Sequence, residues 1–428
     1  MSGVTMRHRP SSRLARLAAL AFAAVIAFAT LWPLPDQPQT NEQLCVICGA
    51  LGGIDFLSNI VLFLPLGIAL GAAGVRVSRA LLLGAGFSLG IEILQWQVVA
   101  GRDASLGDLV SNTMGAVVGA LAVTSHRVLL YPSPRMARRL ASAMTVVLVV
   151  AASVGAWALR PAPVFWKYWS QWAPTRHGFE SFGGELLALT LNDRPIPIGS
   201  VIDPTRETAT FSEGIFQVDA RLVPDSSSPG ALLIARAGNP IDEEFELVQR
   251  GRDLLFRARR NAARLSLRSP VVALPGAFGG RPVGPVEISA YAGVARIELV
   301  AGNAAGVITA DSIPLTLGRT WQVIFPLDIR DPSLHGPGAM AFLTVAILPL
   351  AYWAGLGVIG SATLVWLGSV ALLLLGGLPM LAGIAVGGPW DAAGLTLGSA
   401  IGLALARVSA ARTSGSGGRR LPTGTLLR

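Results

Sequence analysis

Apolar residues run in long blocks at both ends of the chain and alternate with polar ones in its middle. Five blocks come first: Leu14 to Trp32, Phe56 to Val75, Ala80 to Val99, Leu106 to Ser125 and Leu140 to Leu159. Three more close the chain, at Ala339 to Val358, Ser361 to Ile384 and Trp390 to Ala406. A helix crosses the hydrocarbon core of a bilayer with about 20 apolar residues, so each block predicts a transmembrane helix. From about Pro174 to Leu334 the period falls to two. Phe216, Val218, Ala220 and Leu222 alternate with polar neighbours, as do Phe245 with Leu247 and Val286 with Ile288 and Ala290. The intervening P-D-S-S-S-P-G, A-G-N-P and G-A-F-G-G-R-P stretches carry turn residues. Short alternating strands at this spacing predict an antiparallel β-sandwich.

The predicted fold class is thus a polytopic α-helical membrane protein of about eight transmembrane helices, carrying an antiparallel, jelly-roll-like β-sandwich. The division that follows is 1–160 (five helices), 161–335 (sandwich), 336–408 (three helices) and a disordered basic Gly/Ser-rich tail, 409–428. Trp166, Tyr168, Trp169 and Trp172 abut the fifth block and read as an interfacial aromatic belt.

Polar residues interrupt the second to fourth blocks at helical spacing. Asp55 and Asn59 are one turn apart; Ser88, Glu92 and Gln95 share a face, as do Asp108, Asn112, Gly115 and Gly119. Ionisable groups are costly in hydrocarbon and face a bundle interior, so three polar stripes predict one shared cluster. Arg102, in the short loop before Asp108, is expected to fold back towards Glu92 and Asp108. Gly115 and Gly119 form G-x-x-x-G, a helix-packing motif.

Hydrophobic residues make up 52% of the 428, and charged ones only 14%, which excludes an ordinary soluble domain. The net charge of +9 does not form one nucleic-acid-binding patch. The arginines lie between apolar blocks, at Arg7 to Arg16, Arg76 and Arg79, Arg135 to Arg139 and Arg407 to Arg420, with only Arg102 in an opposite short loop. Cytoplasmic loops carry the Lys/Arg excess, so both termini are expected in the cytoplasm and residues 161–335 outside.

The residues Asp55, Asn59, Phe63, Pro65 and Gly67, then Ser88, Glu92 and Gln95, then Arg102, Ser105, Asp108, Asn112, Gly115 and Gly119 resemble the VanZ-like family of membrane proteins over about residues 14–125. The resemblance implies the cell envelope and a link to glycopeptide (teicoplanin-type) resistance, without a molecular activity. It also favours an uncleaved first span over a signal peptide ending at Ala27-Phe28-Ala29. G-I-F-Q-V-D-A-R-L, L-L-I-A-R-A-G-N, F-E-L-V-Q-R-G-R-D-L-L-F-R-A-R and W-Q-V-I-F, at Trp321 to Phe325, look like strands of the concanavalin-A-like, or laminin-G-like, jelly roll. Glucanases of that fold carry E-x-D-x-x-E; Ile241-Asp242-Glu243-Glu244 lacks the spacing, which implies a glycan-binding or spacer module rather than a hydrolase.

No complete catalytic motif is present. Gly86-Phe87-Ser88-Leu89-Gly90 matches G-x-S-x-G in mid-helix, without the strand–turn–helix that a nucleophile elbow needs. The histidines lack metal-ligand spacing, so neither metal nor cofactor is expected. Cys45 and Cys48 form one C-x-x-C, half of a zinc site at most; a local disulfide is the expectation in an oxidising compartment. The expected partners are membrane lipids and a lipid-linked or cell-wall glycan, not nucleic acid. The alternatives are a membrane enzyme acting on a lipid-linked phosphate or glycan, with Glu92 and Asp108 as acid/base candidates, and a transporter. D-A-A-G-L-T-L-G-S-A-I-G at Asp391 to Gly402 echoes D-L-V-S-N-T-M-G-A-V-V-G at Asp108 to Gly119. A degenerate repeat and a chance likeness of Gly-rich helices are both open readings of it.

Overall fold

A computed structural model describes residues 11–33, 46–47, 49, 51–99, 105–162, 168–174, 179–197, 201–202, 214–225, 230–238, 243–279, 284–303, 306, 308–358 and 360–415. The chain divides into two compact units, Met1–Ser133 and Pro134–Arg428. Among the described residues, eight helices are long and apolar enough to cross a membrane. Many of their largest side chains face outward, among them Val61, Leu82, Val146, Leu364 and Leu381. Helices that are apolar on the outside as well as the inside suit lipid as a solvent.

The first unit holds α1 (Ser11–Thr30), α2 (Gly52–Ala72), α3 (Val77–Gln97), α4 (Leu106–Thr124) and the short α5 (His126–Leu130). Ala19 and Ile26 of α1 pack with Phe63 and Leu66 of α2 and Ile91 of α3. Phe63 and Phe87 lie with ring centroids 5.8 Å apart.

The second unit begins with α6 (Pro134–Leu159) and passes into the sandwich. One sheet has the order β4 (Val201–Ile202), β1 (Tyr168–Trp172), β6 (Ala231–Gly238), β7 (Glu243–Arg250), β8 (Asp253–Ala258), β9 (Val271–Leu274). The other runs β12 (Ile308–Pro314), β11 (Arg296–Asn303), β10 (Val286–Ala292), β5 (Phe216–Val223), β2 (Glu185–Leu191), β3 (Arg194–Pro195). Every pairing between these strands is antiparallel. The alternation of β5 buries Phe216, Val218, Ala220 and Leu222. These meet Phe245, Leu247 and Phe256 of the facing sheet in one core, with Phe216 and Phe245 rings 6.0 Å apart. Each such side chain removed from water contributes roughly 1.5–3 kcal/mol.

Two segments differ from the sequence expectation. Tyr168–Trp172 is strand β1, paired with β4 and β6, and Trp172 packs on the core. Its aromatic density next to an apolar helix suggested an interfacial belt, but large rings suit a half-buried sheet equally well. Trp321 to Phe325 is not a strand: α7 (Thr320–Ile324) is a short helix with a 3₁₀ turn, Leu317–Arg319, before it. Five residues cannot distinguish the two periods.

The sandwich is tied to helices at both its ends. The Asn261 side chain donates to Trp157 O at 3.1 Å, and Asn261 N donates to Arg160 O at 2.8 Å. After β12 the 3₁₀ turn and α7 pack against α6 and α8 (His335–Gly357). α9 (Ser361–Leu372), a π-helical turn at Leu373–Gly377 and α10 (Leu378–Ala382) continue one another. α11 (Pro389–Gly415) ends the described chain and lies along α8.

Candidate functional site

The cluster depends on how closely α2 and α4 approach. A Cβ built on Gly115 would fall 2.3 Å from Ile60 O, and one on Gly119 2.3 Å from Leu64 O. A Cβ on Gly67 would fall 2.1 Å from Ala116 O. These glycines let two backbones touch, which apolar side chains alone could not achieve. On the other side, a Cβ on Gly84 of α3 would meet Ala116 Cβ at 2.7 Å.

This packing brings the N-terminal turns of α2 and α4 beside the C-terminal turns of α3. Asn59 Nδ2 donates to Asp108 Oδ1 at 2.9 Å. Ser105 is the N-cap of α4; its Oγ accepts from Asp108 N at 3.0 Å, while its own N–H donates to Glu92 Oε2 at 2.8 Å. A single residue therefore joins the two carboxylate-bearing helices. One turn further in, Asn112 Nδ2 donates to Ser88 Oγ at 2.9 Å. Glu92, Ser88 and Asn112 are buried, and Asn59 and Asp108 half-buried. Asn112 Oδ1 is buried without a partner among the described residues.

The remaining candidates divide. Asp55 lies in the first turn of α2, exposed, one turn before Asn59. There a carboxylate favours the positive end of the helix dipole. Gln95 turns to α1: its Nε2 donates to Thr30 O at 2.9 Å, satisfying one of the last carbonyls of that helix. Its Oε1 is buried and unpartnered among the described residues. Arg102, Cys45 and Cys48 lie outside the described residues, so the expected approach of Arg102 and the disulfide have no geometry here. No group of three or more His, Cys, Asp or Glu with metal-site geometry occurs among the described residues.

Sequence reasoning left Ser105 out of the cluster. The signal was available, since Ser105-Leu106-Gly107-Asp108 has the S-x-x-D form of a capping box.

A second polar surface lies on the outer face of the β5–β10–β11 sheet. The residues that alternate with the buried ones, Asp219, Arg221, Glu287, Ser289 and Thr190, line a groove of about 400 Å³. It borders a second hollow containing Gln217, Tyr291, Arg296 and Glu298. Gln217 Nε2 donates to Asp219 Oδ1 at 3.0 Å and to Ser289 Oγ at 3.1 Å. Arg296 sits 5.8 Å from the Tyr291 ring centroid, a cation–π distance.

Apolar helices around an amide–carboxylate cluster, joined to a β-sandwich, define a multi-pass membrane protein. Residues 4–130 match the family model described as VanZ/LLP1, so the first unit is a VanZ-like membrane domain. The chain matches no curated protein and no solved structure.

Proposed function

We propose that this is a cell-envelope protein whose polar cluster binds or shields a lipid-linked or cell-wall ligand at the extracytoplasmic ends of α2, α3 and α4. Arginine placement supports that sidedness, and with it an extracytoplasmic sandwich. The observation that carries the reading is the Asn59–Asp108–Ser105–Glu92 chain of hydrogen bonds, with the orphan Asn112 Oδ1 one turn beneath. An unpartnered amide oxygen at that depth is expensive and is what a hydroxyl or N–H of a ligand would satisfy. The groove on the sandwich, with carboxylates, an amide, hydroxyls and a guanidinium on one face, suits a glycan. The likeness of the first unit to VanZ-like domains supports glycopeptide resistance as the phenotype to look for.

A deletion strain profiled against cell-wall-active drugs, then complemented, tests this. Wild type should restore resistance, and Glu92→Gln and Asp108→Asn should not, with both variants at normal abundance in the membrane. Restored resistance in both variants at normal abundance contradicts the reading; a fall in abundance that matches the fall in resistance makes the cluster structural.

A second reading draws on Ser105, whose N–H meets the Glu92 carboxylate and whose Oγ meets the backbone N–H of Asp108, the residue whose own carboxylate accepts from Asn59. Two carboxylates so placed could serve as acid and base in an enzyme acting on a lipid-linked phosphate. Turnover of such a lipid by the purified protein decides for it.

A further inference from the structure

The C-terminal helices repeat α2 and α4 in both sequence and packing. α8 reads Leu348-Pro349-Leu350 where α2 reads Leu64-Pro65-Leu66, and each proline lies inside an unbroken helix. Gly355 follows Pro349 at the spacing at which Gly71 follows Pro65. α11 places Asp391, Thr396, Gly398 and Gly402 at the spacing of Asp108, Thr113, Gly115 and Gly119 in α4.

The contacts coincide residue by residue. A Cβ on Gly115 would meet Ile60 O at 2.3 Å and Phe63 Cβ at 2.9 Å; one on Gly398 would meet Thr344 O at 2.4 Å and Ile347 Cγ2 at 2.5 Å. Gly119 faces Leu64 O and Ile68 N; Gly402 faces Leu348 O and Tyr352 N. Gly71 lies against Val123 Cβ and Gly355 against Ala406 Cβ. Thr113 Oγ1 donates to Leu109 O at 2.7 Å and Thr396 Oγ1 to Ala392 O at 2.8 Å. The register that carries Pro65 onto Pro349 carries every α2 partner onto its α8 counterpart. Glycine spacing recurs by chance among packed helices, but it does not bring a proline, a carboxylate and partners at the same positions with it.

We propose that α8 to α11 are an altered second copy of α2 to α4, in which the carboxylate site has become the socket that fixes the β-sandwich to its helices. Asp391 is buried, and its donors come from the segment that leaves β12. Thr316 Oγ1 donates to Asp391 Oδ1 at 2.9 Å and Gly318 N donates to the same oxygen at 2.8 Å; Gly388 N caps Oδ2 at 3.0 Å. The amide donor of the first copy is gone: Leu343 stands where Asn59 does, and Leu395 where Asn112 does. With Asp391 these leucines line an apolar cavity of about 80 Å³. The third helix has changed as well. Leu372 replaces Ser88, and Gly376, at the position of Glu92, falls in the π-helical turn. Gly368, the counterpart of Gly84, faces open space.

The comparison sorts the residues of the first copy. Pro65, Gly71, Thr113, Gly115 and Gly119 recur and build the helix pair; Asp108 recurs as the carboxylate that the second copy turns to the socket. Asn59, Ser88, Glu92 and Asn112 do not recur, yet the pair persists without them, which assigns them to the ligand. This last assignment rests on the proposed function; the socket does not.

Thermal unfolding of the full chain in detergent tests the socket. Thr316→Val should lower the Tm by about 2 °C or more, the scale of one hydrogen bond in a large chain. Leu343→Asn restores the donor position that Asn59 holds in the first copy. It should recover the Tm in the Thr316→Val background and fail to raise it in the wild type. An equal fall in both backgrounds overturns the repeat. The sorting is tested by Asn59→Leu with Asn112→Leu, which copies the second set. Wild-type abundance is expected, and loss of abundance refutes the sorting. Wild-type abundance with full drug resistance refutes the ligand reading and leaves the socket standing.

Discussion

A buried charge is expensive wherever it sits, and this chain buries charged groups both among its helices and in its sandwich. In the sandwich, Arg260 is the largest fully buried side chain. Its Nη1 donates to Gly293 O at 2.8 Å. Burial pushes its pKa down to about 10, against the opposing pull of Glu244 and Tyr291. The folded chain thus holds this proton less tightly than the unfolded one. The cost is present at all pH values below about 10 and is relieved only as pH rises beyond it, so this group adds no pH dependence near neutrality. Removing one partner of a buried pair leaves the other charge uncompensated. Arg260→Met should therefore destabilise the sandwich by about 3–5 kcal/mol. Adding Glu244→Gln should recover part of that loss in denaturant unfolding; strict additivity of the two changes would mean the groups are not coupled. In the first unit, Ser105→Ala removes the cap Oγ but keeps the N–H that serves Glu92. A loss of about 0.5–2 kcal/mol is expected, with the cluster intact; loss of drug resistance at normal abundance would give the hydroxyl itself a role.

Close helix approach is carried by a few glycines, and the two kinds of glycine separate cleanly. Gly119 has Leu64 O where its Cβ would be, whereas a Cβ on Gly86 of α3 meets nothing within 4 Å. Gly119→Leu should abolish accumulation in the membrane and Gly86→Leu should be tolerated; comparable abundance of the two would contradict the α2–α4 contact. Spans were legible because hydropathy alone specifies them, and β5 and β10 because their alternation is unambiguous. β1 was not, since an aromatic run beside a helix has two physical readings and only sheet pairing decides between them. The same limit hid the role of Asp391: the echo of Asp108 was visible along the chain, but its donors, Thr316 and Gly318, come from a distant segment. β1 also resets the boundary of the sandwich. A fragment beginning at Arg176 loses the strand between β4 and β6, so one beginning at Arg160 should give the sharper unfolding transition. Equal transitions would make β1 dispensable.

For the molecule as a whole, the account depends on which side of the membrane each element faces. The cluster and the sandwich can meet an envelope ligand only if both are extracytoplasmic. Arginines at Arg76, Arg79 and Arg135 to Arg139, against the lone Arg102, are the physical basis for that orientation. Reporter fusions read it directly. Fusions after Val99 and within residues 174–334 should report outside; fusions after Arg79, Arg139 and Arg420 should report inside. A cytoplasmic signal from the sandwich, or from the loop after Val99, would contradict the account.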